Sequence, residues 1–204
     1  CSPLTRMRSA LEVELAGTDP PRSREAQDLL EDVVEMQRMV EDLLHLARAD
    51  EGGVEVAFNP LDLDDLVIRE ARRIRSHERV EVDLTGVSGA HVLGDAGQLT
   101  RAIRNLLDNA ERHAASRIAL SLRESDGMAT LVVADDGPGV APDDAERVFE
   151  RFSRLDEART TGIGGTGLGL AIARDIVERH GGSLFLASVG SPGATFELRL
   201  PLAS

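Results

Sequence analysis

GIGGTGLGL, at residues 162–170, runs directly into the helical pattern AIARDIVERH at residues 171–180. Its five glycines within eight residues lose much backbone entropy on folding and supply no side chain for packing, so packing does not explain them. A glycine-rich turn that opens a helix directs unpaired N–H groups and the positive end of the helix dipole towards one point, which suits a phosphate. The stretch therefore predicts a phosphate-binding loop.

Two other interpretations of this loop stay open at this point. Gly162, Gly164 and Gly167 match the G-x-G-x-x-G spacing of a dinucleotide-binding fold, although residues 154–161 before them are polar and charged rather than a buried strand. The second interpretation is a plain flexible loop. The motifs elsewhere in the chain decide between the three.

The composition excludes several classes of protein. The 204 residues can form one compact domain or a small domain with a helical appendage. A formal net charge of −13 argues against a nucleic-acid partner, and no apolar run reaches the length of a membrane span. The single cysteine, Cys1, excludes an internal disulfide, which fits a cytosolic compartment. The chain starts without Met and inside a helical pattern, so we expect a fragment of a longer protein.

The first 50 residues predict a helical hairpin. Apolar residues recur at spacings of three and four over residues 4–15, GTDPP at residues 17–21 ends that helix, and a heptad seam follows over residues 29–47. A hairpin with one apolar seam buries too little alone, so we expect two copies to pair as an antiparallel four-helix bundle. Packing on the chain's own globular domain is the alternative. The residues expected at the homodimer contact are Leu29, Val33, Met36, Val40 and Leu43.

A linker separates this hairpin from a second unit. DEGG at residues 50–53 breaks the helix, and the linker ends near Asn59 and Pro60. Helical patterns then alternate with strand patterns, among them a long helix capped by Asp95. This order predicts an α/β two-layer sandwich in which a mixed sheet is covered on one face. We expect the hairpin at residues 1–50, the linker at 51–59 and the α/β domain at 60–204.

Two asparagines of the long helix are candidates for a metal–phosphate site. Asn105 and Asn109 lie four residues apart and therefore share a face. Because Asn is a mediocre helix former, such a pair costs stability unless it binds a ligand. Amide oxygens suit Mg²⁺, which also keeps water and phosphate ligands. Two ordinary surface asparagines are the alternative, but Arg112 and His113 on the next turn favour the metal–phosphate site.

DDGPG at residues 135–139 follows a predicted strand over residues 129–133. A carboxylate at a strand end, here Asp135, can accept a hydrogen bond from an amino group such as the exocyclic amine of adenine, while the glycines leave room for the ring. An ordinary turn is the alternative, because the same residues are frequent in turns.

VFERF at residues 148–152 holds two of the five phenylalanines. An aromatic pair in a polar segment bounded by glycines predicts a mobile lid with a hydrophobic anchor. A short core helix is equally compatible with the pattern.

Together these motifs resemble the boxes of bacterial sensor histidine kinases. The segment from Asn105 to Asn109 resembles the N box, residues 135–139 the G1 box, residues 149–152 the F box and GTGLGL at residues 165–170 the G2 box, in the family's order and at compatible spacings. The hairpin is similar to the family's dimerisation and histidine-phosphotransfer bundle. The resemblance implies an ATP-binding fold of the kind shared with Hsp90, gyrase and MutL.

At the phosphate end, the resemblance implies that Asn109 holds Mg²⁺ and that Asn105 lies beside the triphosphate of ATP. Arg112 replaces a lysine that contacts phosphate, and Arg154 would reach the γ-phosphate, so Asn105, Arg112 and Arg154 are the expected catalytic residues. The loop residues expected to bind the nucleotide are Gly165, Thr166, Gly167, Leu168 and Gly169.

At the base end, the resemblance implies that Asp135 binds the adenine amine. His113 stands where the family often has a tyrosine, and Thr195 would lie near the ring. Gly137 and Gly139 complete the residues expected to bind the nucleotide.

The resemblance also implies a phosphoacceptor that this chain lacks. The acceptor of the family lies in a His-Glu-x-x-Ser/Thr-Pro-Leu motif, and residues 1–4, CSPL, match only the tail of it. None of the five histidines is followed by Glu and then Ser/Thr-Pro. We therefore expect the acceptor four residues before Ser2, upstream of the chain, and a fragment that binds ATP without phosphorylating itself.

The function implied by the resemblance is that of a sensor histidine kinase core. It would pass the γ-phosphate of Mg-ATP to a histidine and then to an aspartate of a response regulator. The part studied would be cytoplasmic, with sensor and membrane segments upstream in a bacterial inner or plasma membrane. An anti-sigma-factor-type protein serine kinase and a catalytically inactive nucleotide-sensing dimer module are the alternatives; the heptad hairpin argues against the first and the preserved site residues against the second.

Overall fold

The computed structural model describes residues 29, 33, 36–37, 39–44, 46, 57–75, 79–153, 166–188 and 192–203. By its internal contacts the chain divides into two compact units, Cys1–Gly53 and Val54–Ser204. The described residues of the first unit are all helical. The predicted helix over residues 4–15 and residues 51–56 of the predicted linker lie outside the described residues.

Four of the five predicted seam residues are exposed in the first unit. Leu29 is 54% exposed, and Met36, Val40 and Leu43 are similar, whereas Val33 is buried. Met39 and Leu44, which do not belong to the predicted seam, are exposed as well, so exposure does not by itself distinguish the seam. Among the helices that the structure describes, none combines the length and the apolar character that a membrane span requires.

Helices and strands alternate through the second unit. In chain order they are β1 (Asn59–Asp62), α1 (Leu63–Arg75), β2 (Glu81–Val87), β3 (His91–Gly94), α2 (Ala96–His113), β4 (Arg117–Ser125), β5 (Met128–Asp135), α3 (Gly169–Arg179), β6 (Ser183–Ser188) and β7 (Thr195–Pro201). Two short 3₁₀ helices, Pro142–Asp144 and Arg147–Phe149, lie between β5 and α3.

Five of the strands form a mixed sheet in the order β2-β4-β5-β7-β6. Strands β2 and β4 are parallel, and the other neighbours are antiparallel. A two-residue turn joins β4 to β5, and both of its residues have positive φ, 53° at Asp126 and 77° at Gly127. This is the turn expected where the flanking strands twist in the right-handed sense.

The core lies between this sheet and the three helices. Side chains on β5 alternate strictly, with Ala129, Leu131, Val133 and Asp135 buried and the residues between them half-buried. The helices contribute apolar faces at helical spacing, such as Leu99, Ile103, Leu106 and Leu107 of α2. One face of the sheet is therefore covered by helices, which confirms the predicted α/β sandwich.

Strand β1 is the strand that the sequence did not predict. It pairs antiparallel with β3, Asn59 opposite Gly94 and Pro60 opposite Leu93, in a separate two-stranded sheet. NPLD has neither the alternation nor the β-branched residues of a typical strand, and proline is tolerated because β1 has a neighbour on only one side.

A buried carboxylate fixes α2 against α1. Glu70 of α1 is 3% exposed and accepts hydrogen bonds from Arg104 at 2.9 and 3.1 Å and from Arg73 at 3.2 Å. Burial raises the pKa of Glu70, but the two guanidinium groups outweigh burial and leave the pKa below its usual value. Because Arg104 immediately precedes Asn105, this pairing helps to set the rotation of α2 about its axis.

Candidate functional site

Helix α2 carries the two candidate asparagines on one face. The helix begins at its N-cap Asp95, whose side chain accepts a hydrogen bond from the Gln98 N–H at 2.9 Å. Asn105 and Asn109 are both half-buried. The Nδ2 atom of Asn105 is buried and has no hydrogen-bond partner in the part of the chain that the structure describes. A buried amide donor without a partner is costly, so it indicates an acceptor supplied by a ligand.

The first turn of α3 lies against Asn105. A Cβ atom added at Gly169 would stand 3.6 Å from Cγ of Asn105, and Leu168 is fully buried behind the turn. Gly167 has a φ of +68°, and a Cβ atom there would lie 2.8 Å from the carbonyl oxygen of Ser153. The structure thus brings the candidate phosphate loop, from Thr166 to Gly169, next to α2. Gly165 and Arg154 lie outside the described residues.

The two phenylalanines of the VFERF segment have different environments. Phe149 is 6% exposed, packs edge to face on Phe196 with ring centroids 6.1 Å apart, and lies 4.2 Å below the guanidinium of Arg174. Phe152 is 62% exposed with a φ of +62°, and its N–H donates to the Gly167 carbonyl at 2.9 Å. Phe149 therefore anchors the segment in the core, within a 3₁₀ helix rather than a longer helix.

Asp135 ends β5 as a buried carboxylate with one free oxygen. It is 8% exposed, and its Oδ1 accepts hydrogen bonds from the N–H groups of Gly137 at 2.9 Å and Ala194 at 3.2 Å. Its Oδ2 is buried and has no hydrogen-bond partner among the described residues. An ionised carboxylate only accepts hydrogen bonds, so the free oxygen calls for a donor such as an amino group.

Glycines allow three segments to meet around Asp135. A Cβ atom at Gly137 would overlap the carbonyl oxygen of His113, and one at Gly193 would overlap the carbonyl oxygen of Asp135. The Gly193 N–H also donates to the Gly137 carbonyl at 2.7 Å. Gly139 follows in the same loop with a φ of +83°. The end of α2, the loop after β5 and the loop before β7 therefore surround one carboxylate.

The structure does not bring the Thr195 side chain to this carboxylate. Thr195 pairs with Ala134 across β5 and β7, and directly opposed side chains point to the same face of a sheet. Asp135 follows Ala134 and therefore points to the other face, which the helices cover. The residue that reaches Asp135 is Ala194, through its backbone N–H. The sequence shows the turn before β7, but it does not show that β7 pairs with β5, so it gave no signal for Ala194 or Gly193.

Helix α2 ends with Arg112 and His113, and both side chains are half-buried. Burial lowers the pKa of the His113 imidazole and the positive charge of Arg112 lowers it further, while Asp135 acts in the opposite direction. The ring is therefore neutral near pH 7 and can offer an uncharged planar face.

The free donor on Asn105 and the free acceptor on Asp135 lie at opposite ends of one region. Asp135 is near His113, and His113 follows Asn105 by eight residues on α2, about 12 Å along the helix axis. A donor suits a phosphate oxygen and an acceptor suits an amino group of a base. The described residues therefore fit a nucleotide that lies along α2.

The described residues also restrict the kind of metal that could bind. They contain no group of three or more His, Cys, Asp or Glu side chains that could hold a metal ion. A metal beside α2 would instead take an amide oxygen together with water and phosphate ligands, the combination that Mg²⁺ accepts.

Residues 94–204 match the family described as histidine kinase-, DNA gyrase B-, and HSP90-like ATPase. The match covers more than half of the chain and includes both asparagines, Asp135 and the glycine-rich loop. The chain belongs to this family. Family membership supports ATP as the ligand and excludes the dinucleotide-binding fold as an interpretation of residues 162–170, whose role in binding phosphate stays a prediction.

Two named relatives and one solved structure indicate which class of protein within this family the chain is similar to. The signal transduction histidine-protein kinase/phosphatase MprB of Mycolicibacterium smegmatis is 37% identical over 216 residues, which span 98% of this chain and 43% of that protein. The sensor-like histidine kinase SenX3 of the same organism is 34% identical over 207 residues, 98% of this chain and 54% of that protein. The crystal structure of full-length ShkA in complex with AMPPNP has a TM-score of 0.80 at 29% identity and covers 99% of this chain and 43% of that one.

These similarities confirm the predicted resemblance to the catalytic core of a bacterial two-component sensor histidine kinase. They favour this class over the anti-sigma-factor-type serine kinase and over the inactive sensing module. The chain spans about half the length of the curated relatives that it matches, 43% of MprB and 54% of SenX3.

Proposed function

We propose that this chain binds Mg-ATP as a phosphoryl donor, and that the whole protein transfers the γ-phosphate to a histidine and then to an aspartate of a response regulator. The observation that carries the proposal is the buried Oδ2 of Asp135, which has no partner among the described residues. Its position in a glycine-lined junction at the end of α2 suits the amine of adenine.

The base end would select adenine. Asp135 accepts the amine through Oδ2 while its Oδ1 is held by two backbone N–H groups, so the carboxylate does not have to reorganise on binding. Neutral His113 supplies an uncharged face beside the ring. Gly137 and Gly139 leave room for the base.

The phosphate end would position the triphosphate. Asn105 donates to a phosphate oxygen through Nδ2, Arg112 contributes positive charge, and the N–H groups of Gly167 and Gly169 face the phosphates, while the Leu168 N–H donates to the Thr166 hydroxyl at 3.2 Å. Bound Mg²⁺ would neutralise charge on the phosphate oxygens, and Asn109 is the residue that would hold it. Phosphoryl transfer depends mainly on positioning and on charge neutralisation, so this set needs no strong base.

The rest of the proposal concerns the whole protein. The acceptor is a histidine upstream of Cys1, residues 1–50 belong to a dimerisation hairpin, 51–59 to a linker and 60–204 to the catalytic domain. Two copies pair through Leu29, Val33, Met36, Val40 and Leu43, of which four are exposed here. This part lies in the cytoplasm, and segments upstream attach it to the membrane. The named relatives, two of them histidine kinases about twice as long, support this organisation.

Labelling with γ-labelled ATP and Mg²⁺ tests the proposal. We would compare this chain alone, a version extended upstream through the motif histidine, and the extended version carrying Asp135→Asn. We expect acid-labile, base-stable label only on the extended version with Asp135 intact.

Three other outcomes would contradict parts of the proposal. Acid-labile label on this chain alone would place the acceptor within it. Acid-stable label would favour a serine kinase. An absence of label in every sample, with Mg-ATP binding demonstrated by calorimetry, would favour a sensing module.

A further inference from the structure

The residue next to Asp135 makes an unusual set of contacts with the end of α2. The Oδ1 of Asp136 accepts hydrogen bonds from three consecutive N–H groups, those of Ala115, Ser116 and Arg117, each at 2.9 Å. Its Oδ2 accepts from the Ser116 hydroxyl at 2.6 Å and from the Ser116 N–H at 3.1 Å. One side chain thus satisfies the backbone where the chain leaves α2 and enters β4.

These bonds join the two segments that meet at the base end. Ala115 follows the last turn of α2, which carries Arg112 and His113, while Asp136 immediately follows Asp135. The two segments lie so close together that a Cβ atom at Gly137 would overlap the carbonyl oxygen of His113. The Asp136 N–H also donates to the Arg117 carbonyl at 3.2 Å, so both the backbone and the side chain of Asp136 are held.

We infer that Asp136 is the positioning residue that holds Asp135 and His113 at a fixed separation for binding the base. The inference rests on the proposed binding of adenine at Asp135. Asp136 makes no contact with the base in this arrangement and acts through the backbone of the loop after β5 and through the end of α2.

The protonation state of Asp136 suits this role. Hydrogen bonds from the Ser116 hydroxyl and N–H, followed by that from the Arg117 N–H, hold the pKa of this carboxyl well below its usual value. The group is therefore ionised at neutral pH. Because Asp136 is exposed, water competes for these bonds, and the number of bonds rather than burial makes the attachment specific.

The test uses the 204-residue chain with ATP and with inosine triphosphate, which lacks the exocyclic amine, both in Mg²⁺ and both measured by calorimetry. Asp136→Ala removes all the side-chain bonds, Asp136→Asn keeps the Oδ1 acceptor, and Ser116→Ala removes only the hydroxyl bond. We expect Asp136→Ala to weaken ATP binding about 10-fold or more, and Asp136→Asn and Ser116→Ala to weaken it about 3-fold, with a partial fall in the preference for ATP over inosine triphosphate. In Asp136→Ala, the affinity for ATP divided by the affinity for inosine triphosphate should fall towards one. The reason is that Asp135 would no longer be positioned to accept a hydrogen bond from the amine.

Asp83→Ala is the matched control. Asp83 also accepts hydrogen bonds from a backbone N–H and a hydroxyl, those of Thr85 at 2.9 and 2.7 Å, and it pairs with the Arg117 side chain at 2.5 Å without touching the loop after β5. Asp83→Ala should lower the thermal midpoint of unfolding without changing the ratio of the affinities for ATP and inosine triphosphate.

An unchanged ratio in a folded Asp136→Ala chain would overturn the inference, as would an Asp136→Asn variant no better than Asp136→Ala. If Asp136→Ala does not fold, Asp136→Asn and Ser116→Ala decide, and a preference for ATP equal to that of the parent chain in both would overturn it. A parent chain that does not distinguish ATP from inosine triphosphate would instead contradict the proposed role of Asp135, and one that binds neither would contradict the proposed function.

Discussion

The two ends of the candidate site are built in different ways. Around Asp135, backbone carbonyls lie so close to Gly137 and Gly193 that neither position accepts a side chain, and each bond that holds Asp135 comes from a backbone N–H. Around Asn105, the neighbouring Gly169 has room for a Cβ atom at 3.6 Å. The Asp135 carboxylate itself is therefore held by backbone groups, whereas the Asn105 amide lies beside a glycine with room for a Cβ atom, although Gly167 in the same loop has none.

The largest effect should follow from Gly137→Ala. Its Cβ atom would overlap the His113 carbonyl oxygen, so either α2 or the loop after β5 must move. We expect the free energy of unfolding to fall by roughly 2–4 kcal/mol and binding of Mg-ATP to be lost. Chemical denaturation and calorimetry measure the two effects.

Another glycine provides the matched control for that substitution. Gly89→Ala adds a Cβ atom with nothing within 4 Å. It should keep an affinity for Mg-ATP within about 3-fold of the parent chain. If Gly89→Ala is as damaging as Gly137→Ala, the overlap with the His113 carbonyl does not explain the loss.

Asp135→Asn should have the next largest effect. The substitution preserves the Oδ1 acceptor for Gly137 and Ala194 but replaces the free acceptor by a donor. We expect the affinity for ATP to fall about 100-fold while the thermal midpoint changes little, because a donor would then face the amine of the base.

The control for Asp135→Asn is Asp126→Asn, in the turn between β4 and β5. It should leave the affinity unchanged. An Asp135→Asn chain that binds ATP as tightly as the parent would remove the basis for the base end altogether.

The sequence predicted the residues at both ends of the site better than their arrangement. Asn105 and Asn109 share a face because four residues make about one helical turn, and the long helix has the predicted N-cap at Asp95. Asp135 was predicted because strand and turn patterns are local. The features that depend on local spacing could therefore be predicted from the sequence.

Contacts between segments that are far apart in the sequence could not be predicted. Ala194 and Gly193 reach Asp135 only because β7 pairs with β5, a partner choice that alternation within a strand does not encode. The same register places Thr195 on the other face of the sheet. Strand β1 was missed because its only neighbour is β3 and its residues have little strand propensity.

Asn109→Ala tests the phosphate end and should have a smaller effect. We expect the affinity for ATP in Mg²⁺ to fall about 10-fold, with little change when the metal is chelated, since the amide oxygen is proposed to bind the ion. The chain itself should become slightly more stable, by up to about 0.5 kcal/mol, because Ala is the better helix former. Equal losses with and without Mg²⁺ would show that Asn109 contacts the nucleotide rather than the metal.

The smallest effect concerns His113 and the pH dependence of stability. Burial and Arg112 lower the pKa of His113 in the folded chain, whereas in the unfolded chain it is near the ordinary value of about 6.5. Below that pH the unfolded chain binds the extra proton first, so the stability present above about pH 6.5 is lost as the pH falls through the folded pKa.

His113→Gln should remove this dependence, because the amide does not titrate. Relative to this variant, the parent chain should lose stability between pH 7.5 and pH 5, by less than about 1 kcal/mol because the imidazole is only half-buried. Thermal unfolding at several pH values measures the difference. His91→Gln, at a side chain that is 72% exposed on β3, should not reproduce it. If the parent and His113→Gln curves run parallel over this range, the folded chain does not lower the pKa of His113, and burial beside Asp135 does not hold the ring in its neutral form.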